Sequence, residues 1–331
     1  MGSGVFRALR EKPSGVGQTF NLLSRIPYAL GGLASHFPPC PGLTQTPPKP
    51  NPYPMHLHHE TALKCSKLIT EHYSTSFTLG IKTLSPKFHG AIYAIYGFVR
   101  CADEIVDTFH GFNQRELLQC FGKDTYQAIQ EKISLNPVLH SFQLVVNEYG
   151  IEDELIRAFL KSMEMDLYFS EYNASRYEEY IYGSAEVVGL MCLRVFCEGN
   201  QVMYQQLKEP ARRLGAAFQK VNFLRDVKSD YQERGRVYFP GVDFNAFTGD
   251  AKQQIEDDIQ CDFDAAYQGI LRLPRSARLG VYLAYIYYLR LFKKIRQLPV
   301  SRILSERVRV PDNQKFTLLV QTYFRHQFNS L

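Results

Sequence analysis

From Met55 to the end of the chain, apolar residues return at intervals of three and four, and the strict alternation that marks strands is nearly absent. A chain with that one period can bury its apolar side only by packing helix on helix. The expectation is therefore an all-α fold, one large helical domain over residues 55–331. Breaks fall at "LSPKF" (84–88), "HGFNQ" (110–114), "LNPVL" (135–139), "YGIED" (149–153), "SEYNASRY" (170–177), "CEGN" (197–200), "ERGRVYFPGVDFNAFTGD" (233–250), "RLPRS" (272–276) and "RVPDN" (309–313). They leave about ten helices with short connections, and Pro86 and Pro137 suit first-turn positions, where a missing N–H costs least. The longest stretch without a period is 234–250, expected to form a flap over a site.

Residues 1–54 read differently. They hold ten of the 17 prolines, and five basic residues (Arg7, Arg10, Lys12, Arg25, Lys49) stand against Glu11 alone. A flexible leader is expected, either a targeting segment or an extension upstream of a start at Met55. Because this leader carries most of the net charge of +5, the remainder is close to neutral, which argues against nucleic acid as a partner. The seven cysteines form no C-x-x-C and no zinc spacing, so reduced, mostly buried thiols in a cytoplasmic protein are expected. No run of about 18 apolar residues suggests a membrane span.

"YAIYGFVRCADEIVD" (93–107) carries the first chemistry. At about 100° per residue, a helix through 96–107 brings Tyr96, Arg100, Asp103 and Asp107 into one narrow arc. An isolated D-x-x-x-D of this kind fits a solvated helix face. The pattern recurs, however, in "FQKVNFLRDVKSD" (218–230), where Gln219, Asn222, Asp226 and Asp230 share an arc bordered by Phe223 and Val227 and flanked by Arg225. A polar strip with apolar borders suits the wall of an internal cavity.

Four carboxylates with neither Cys nor His among them form an all-oxygen set, suited to Mg²⁺, or Mn²⁺ in its place, and not to Zn²⁺. Mg²⁺ completes its shell with water and phosphate oxygens, and Arg100 and Arg225 supply the forked donors that a diphosphate accepts. The chemistry implied is ionisation of a diphosphate ester, with metal and arginine neutralising the leaving group. The alternative is an interhelical Asp–Arg network with no ligand.

Around these stripes stand many of the 21 Tyr and 23 Phe, among them Tyr93, Tyr96, Phe223, Tyr285 and Tyr288, which suit either a core or a π-rich wall around a carbocation. "YIYGSAEVVGLM" (180–191) sets Gly183, Ser184, Ala185 and Gly189 in an apolar helical run, as a lipid-shaped tunnel or close helix packing requires. "MHLHHE" (55–60) lacks the second histidine of H-E-x-x-H, and there is no P-loop, G-x-G-x-x-G or G-x-S-x-G.

Taken in order, "YSTSFTLGI" (73–81), "YAIYGFVRCADEIVD" (93–107), "YIYGSAEVVGLM" (180–191) and "NFLRDVKSDYQERGRVYFP" (222–240) resemble the head-to-head prenyl synthases, the squalene and phytoene synthase family, and look closest to its bacterial phytoene synthases. The resemblance spans essentially 55–331 and implies an isoprenoid synthase fold around a central cavity. It further implies a prenyltransferase of carotenoid biosynthesis that condenses two geranylgeranyl diphosphates, through prephytoene diphosphate, to phytoene. Carried onto this chain, Asp103, Asp107, Asp226 and Asp230 become Mg²⁺ ligands. Arg100, Gln219, Asn222 and Arg225 match diphosphate or metal-site positions. Tyr96, Tyr180 and Tyr288 match positions near the reacting carbons, Ser76 and Phe77 begin the pocket, and Ser184, Ala185 and Gly189 belong to its wall. Two departures stand out: the first motif reads Asp-Glu where Asp-Asp is frequent, so Glu104 is secondary, and Tyr73 stands where relatives often have histidine. The apolar product implies loose contact with a membrane surface. A squalene or dehydrosqualene synthase using farnesyl diphosphate, and a non-catalytic helical assembly factor, are the other readings.

Overall fold

Residues 55–169, 172–232, 236–242 and 247–308 are described by the computed structural model; the leader 1–54, the break at 309–313 and parts of 233–250 lie outside them. The chain begins with α1 (His56–Tyr73) and α2 (Thr75–Lys82), separated at Ser74, whose side chain accepts the Phe77 N–H and caps α2. The sequence reading left this break out, because Ser74 interrupts an apolar period without glycine or proline. α3 (Pro86–Thr108) and α5 (Pro137–Tyr149) start on their prolines, as expected. Between them lies α4 (Gln114–Glu131), capped by Asn113, while α5 ends at Gly150 in the left-handed conformation at φ 64°.

α6 (Asp153–Tyr168) and α7 (Ala174–Ile181) follow. α7 runs through a π turn (Tyr182–Glu186) into α8 (Val187–Cys197). α9 (Gln201–Val227) is capped by Asn200 and ends in a second π turn (Lys228–Gln232). α10 (Gly249–Arg272), α11 (Arg275–Arg296) and α12 (Val300–Ser305) complete the described chain. Both π turns fall inside motifs that the 3.6-residue period treats as uninterrupted α-helix; such wide turns are frequent at functional sites.

The interior has two apolar clusters. In the first, Phe98 of α3 stacks on Phe142 of α5 at 3.9 Å, with Phe121 and Phe159 closing around it. The second gathers Phe223 of α9, Phe263 of α10 and Phe292 of α11. α8 packs on both α3 and α9, so it bridges the two aspartate helices. α10 lies along α9, where buried Lys220 meets Asp258 at 2.5 Å and Asp262 at 2.7 Å.

Two expectations need correction. Of the six described cysteines only Cys197 is buried, while Cys120 and Cys261 are exposed. The stretch Ala174–Cys197 is long and apolar enough to cross a membrane, yet 72% of its apolar window is buried inside the protein, and that burial accounts for its composition.

Candidate functional site

The burial of α3 decides between a solvated and an inward-facing stripe. Arg100, Asp103 and Asp107 are 1%, 2% and 2% exposed, and Tyr96 is buried with them. Charged groups stay in such a place only when paired. Arg100 ion-pairs with both Asp103 and Glu104, and its guanidinium lies over the Tyr73 ring, 4.4 Å from the centroid. Glu104 projects well away from Asp103 on the helical wheel, yet a long glutamate four residues on reaches the same guanidinium. Burial opposes the charge on Arg100, but Asp103 and Glu104 outweigh it and hold its pKa above the ordinary value.

On α9, Gln219, Asn222, Arg225 and Asp226 are all buried, and Asp230 on the π turn is buried as well. Arg225 grips Asp226 with a fork, Nε donating to Oδ1 at 3.0 Å and Nη2 donating to Oδ2. Arg307, which the sequence reading missed, places Nε 2.8 Å from Asp226 Oδ1. The Gln219 amide, 0% exposed, makes no hydrogen bond among the described residues, which leaves a buried donor and acceptor for a ligand.

Among the described residues no group of three or more His, Cys, Asp or Glu is assembled to hold a metal by protein ligands alone. The donor set nevertheless fits Mg²⁺, which is ordinarily bound through one or two carboxylates and completed by water and phosphate oxygens. Two buried carboxylates on each stripe, with guanidinium groups beside them, have that chemistry.

An apolar cavity of about 220 Å³ opens beside the stripes. Ser76 and Phe77 of α2, Ala185 of the π turn, Gly189 of α8, Phe218 of α9 and Tyr288 of α11 are among its walls. It meets the polar region at Phe77, whose ring lies 4.9 Å from that of Tyr96, and at Tyr288, which stacks on Phe218 of the wall at 3.9 Å and feels the charge of Arg225. Burial raises the Tyr288 phenol to about 12 and pushes Tyr96 up as well, so both stay protonated at neutral pH. Tyr287, adjacent to Tyr288, also lines the cavity.

Ser184 is not among the lining residues; its hydroxyl donates to the Tyr180 carbonyl at 2.7 Å. Gly183 serves packing, since a Cβ there would come 2.4 Å from the Ala158 carbonyl oxygen of α6. The "YIYGSAEVVGLM" run thus divides its small residues, some for helix contact and others for the cavity.

Tyr180 lies in a buried cluster with Tyr172, Phe223 and Tyr238. Its hydroxyl donates to Asp166 Oδ2 at 2.8 Å, and the Tyr172 hydroxyl lies 3.4 Å from Oδ1. Asp166 also passed unnoticed in the sequence, although one signal was present. Leu155, Phe159, Ser162 and Asp166 share the inward face of α6, and an aspartate in the apolar phase of a helix calls for a partner. That partner is Arg236, whose Nη1 lies 3.7 Å from Asp166 Oδ1 and 4.0 Å from Asp107 Oδ1.

The chain superposes on the crystal structure of a dehydrosqualene synthase in complex with ligand with a TM-score of 0.69, at 20% identity, covering 82% of this chain and 98% of the other. A squalene synthase structure from Alicyclobacillus acidocaldarius gives a TM-score of 0.64 at 17% identity, covering 73% and 95%. At these identities the likeness shows the isoprenoid synthase fold. The profile of the Squalene/phytoene synthase family matches residues 70–314, and this chain belongs to that family, whose members join two prenyl units head to head. Its sequence is similar to 15-cis-phytoene synthase of Synechocystis sp., with 30% identity over 87% of this chain and 93% of the relative. It is also similar to chloroplastic phytoene synthase 2 of Solanum lycopersicum, with 28% identity over 70% and 80%.

Proposed function

We propose that this protein is a phytoene synthase, condensing two molecules of geranylgeranyl diphosphate to phytoene. The observation that carries a diphosphate-ionising site is the burial of both aspartate stripes, with their arginines, next to an apolar cavity. The preference for the forty-carbon product rests on the phytoene synthases of Synechocystis and tomato, which this sequence matches over most of its length.

Asp103, Asp107, Asp226 and Asp230 would hold Mg²⁺ or Mn²⁺, which supplies Lewis-acid neutralisation of the leaving diphosphate when bound. Arg100 beside the first stripe and Arg225 and Arg307 beside the second add fixed positive charge, and Gln219 and Asn222 offer amide contacts. The first substrate loses diphosphate, and its allylic cation alkylates the double bond of the second. Loss of a proton closes the cyclopropane ring of prephytoene diphosphate; a second ionisation, rearrangement and proton loss give phytoene, with no external reductant. Tyr96 and Tyr288 present π faces between the polar site and the apolar wall, where they stabilise cationic carbon without trapping it. Such a product does not dissolve in water, so loose contact with a membrane surface belongs to this reading, which takes the protein as cytoplasmic.

A farnesyl-using squalene or dehydrosqualene synthase is the second reading, favoured by the structures with the same fold. Chromatography of the hydrocarbon formed with Mg²⁺, phospholipid vesicles and either geranylgeranyl diphosphate, or farnesyl diphosphate with and without NADPH, separates the two. Phytoene from the longer substrate, with the protein floating on the vesicles, is expected. Squalene or dehydrosqualene alone would move the protein to the shorter-chain branch, and no hydrocarbon from either would favour a non-catalytic assembly role.

A further inference from the structure

Arg236 is the side chain that ties one aspartate stripe to the other. Its backbone N–H donates to the Asp230 carbonyl at 2.8 Å, so its position follows the end of the second motif. Its guanidinium, 12% exposed, reaches Asp107 of the first motif, on α3. It is held there from a third direction by α6, where Nη2 donates to the Asp166 carbonyl at 2.8 Å and Nη1 faces the Asp166 carboxylate at 3.7 Å. The 4.0 Å separation from Asp107 is too long for a hydrogen bond, whereas Arg225 makes a forked contact with Asp226.

We propose that Asp166 is a positioning residue, which holds Arg236 between the two stripes as a diphosphate-binding cation and keeps it from closing onto Asp107. The inference rests on the reading of the stripes as a diphosphate site. Two carboxylates compete for one guanidinium. With the Asp166 charge in place, supported by the Tyr180 and Tyr172 hydroxyls, Arg236 is held from α6 and stands off Asp107. With that charge removed, Asp107 is the other anion that the described contacts give Arg236, and the guanidinium shifts towards it. The guanidinium is then lost to the diphosphate, and a carboxylate is lost to the metal. Asp166 itself touches neither substrate nor metal in this scheme. Its effect passes through Arg236.

The test is a double-mutant cycle on the full chain, Asp166→Asn with Arg236→Gln, read by calorimetric binding of inorganic diphosphate in Mg²⁺ and by the Mg²⁺ concentration that half-saturates turnover. Asp166→Asn should weaken diphosphate binding by about tenfold and raise the Mg²⁺ requirement by a similar factor, the size expected for losing one charge-assisted contact. In the Arg236→Gln background the same change should alter diphosphate binding by less than about twofold, because the residue it acts through is gone. Wild-type diphosphate affinity in Asp166→Asn, or penalties that multiply in the double variant, would overturn the proposal while leaving the site reading intact. Wild-type protein that fails to bind diphosphate with Mg²⁺ would overturn both. If Asp166→Asn does not fold, Asp166→Glu, which keeps the charge, should bind diphosphate within about threefold of the wild type, and a loss of about tenfold in that variant would overturn the proposal.

Discussion

At the level of single residues, Arg100 shows how a side chain can serve two carboxylates of unequal importance. Asp103 and Glu104 both pair with it, but only Asp103 lies in the buried stripe with Asp107. Glu104 is the more exposed partner, so its loss is partly made up by water. Asp103→Asn should therefore lower turnover by about a thousandfold, the upper range for removing a preorganised electrostatic group, and Glu104→Gln by only about tenfold. Steady-state rates of the two variants at saturating Mg²⁺ check this; equal losses would mean that Glu104 belongs to the metal site. The two aspartate stripes could be read from the sequence because one helical period places each on a single face. Asp166, Arg236 and Arg307 could not be read in the same way. They reach the site from α6, from the connection after the second π turn and from the segment beyond α12, and no periodicity links residues on separate elements.

Among the elements, α1 is clamped at its start by a histidine cluster that the "MHLHHE" motif left unexplained. His140 on α5 accepts the Ser134 N–H at Nδ1, 3.1 Å away, so its proton sits on Nε2 and is donated to His59 Nδ1 at 2.8 Å. His58 adds a contact to the Ser134 carbonyl at 3.1 Å. Burial first, then His58 and His59, lower the pKa of His140 to about 4. The fold therefore favours neutral His140. Its contribution is complete above the ordinary histidine value of about 6.5 and is lost progressively as pH falls from there towards 4. The urea midpoint should decline across that window and decline less in His140→Gln; an identical decline in the variant would contradict the clamp. Most helix ends were legible, because prolines 86 and 137 and Gly150 mark them through backbone conformation. The π turns were not. A π turn differs from α-helix by one hydrogen-bond step, and the residues "YGSAE" and "KSDYQ" continue a helical pattern across it.

For the molecule as a whole, the arrangement sets charge and apolar volume side by side, with Tyr96 and Tyr288 at the join. The stripes are buried at a desolvation cost that an ordinary surface ion pair does not carry, and in the proposed reading a diphosphate with its cation would offset that cost on binding. The central claim is that both stripes act together on one leaving group. Rapid-quench measurement of diphosphate released from geranylgeranyl diphosphate in Mg²⁺ tests it most directly, comparing wild type with Asp226→Asn and using circular dichroism to establish that both are folded. The account predicts diphosphate release and hydrocarbon from the wild type and neither from the folded variant. Release at the wild-type rate by Asp226→Asn would contradict it.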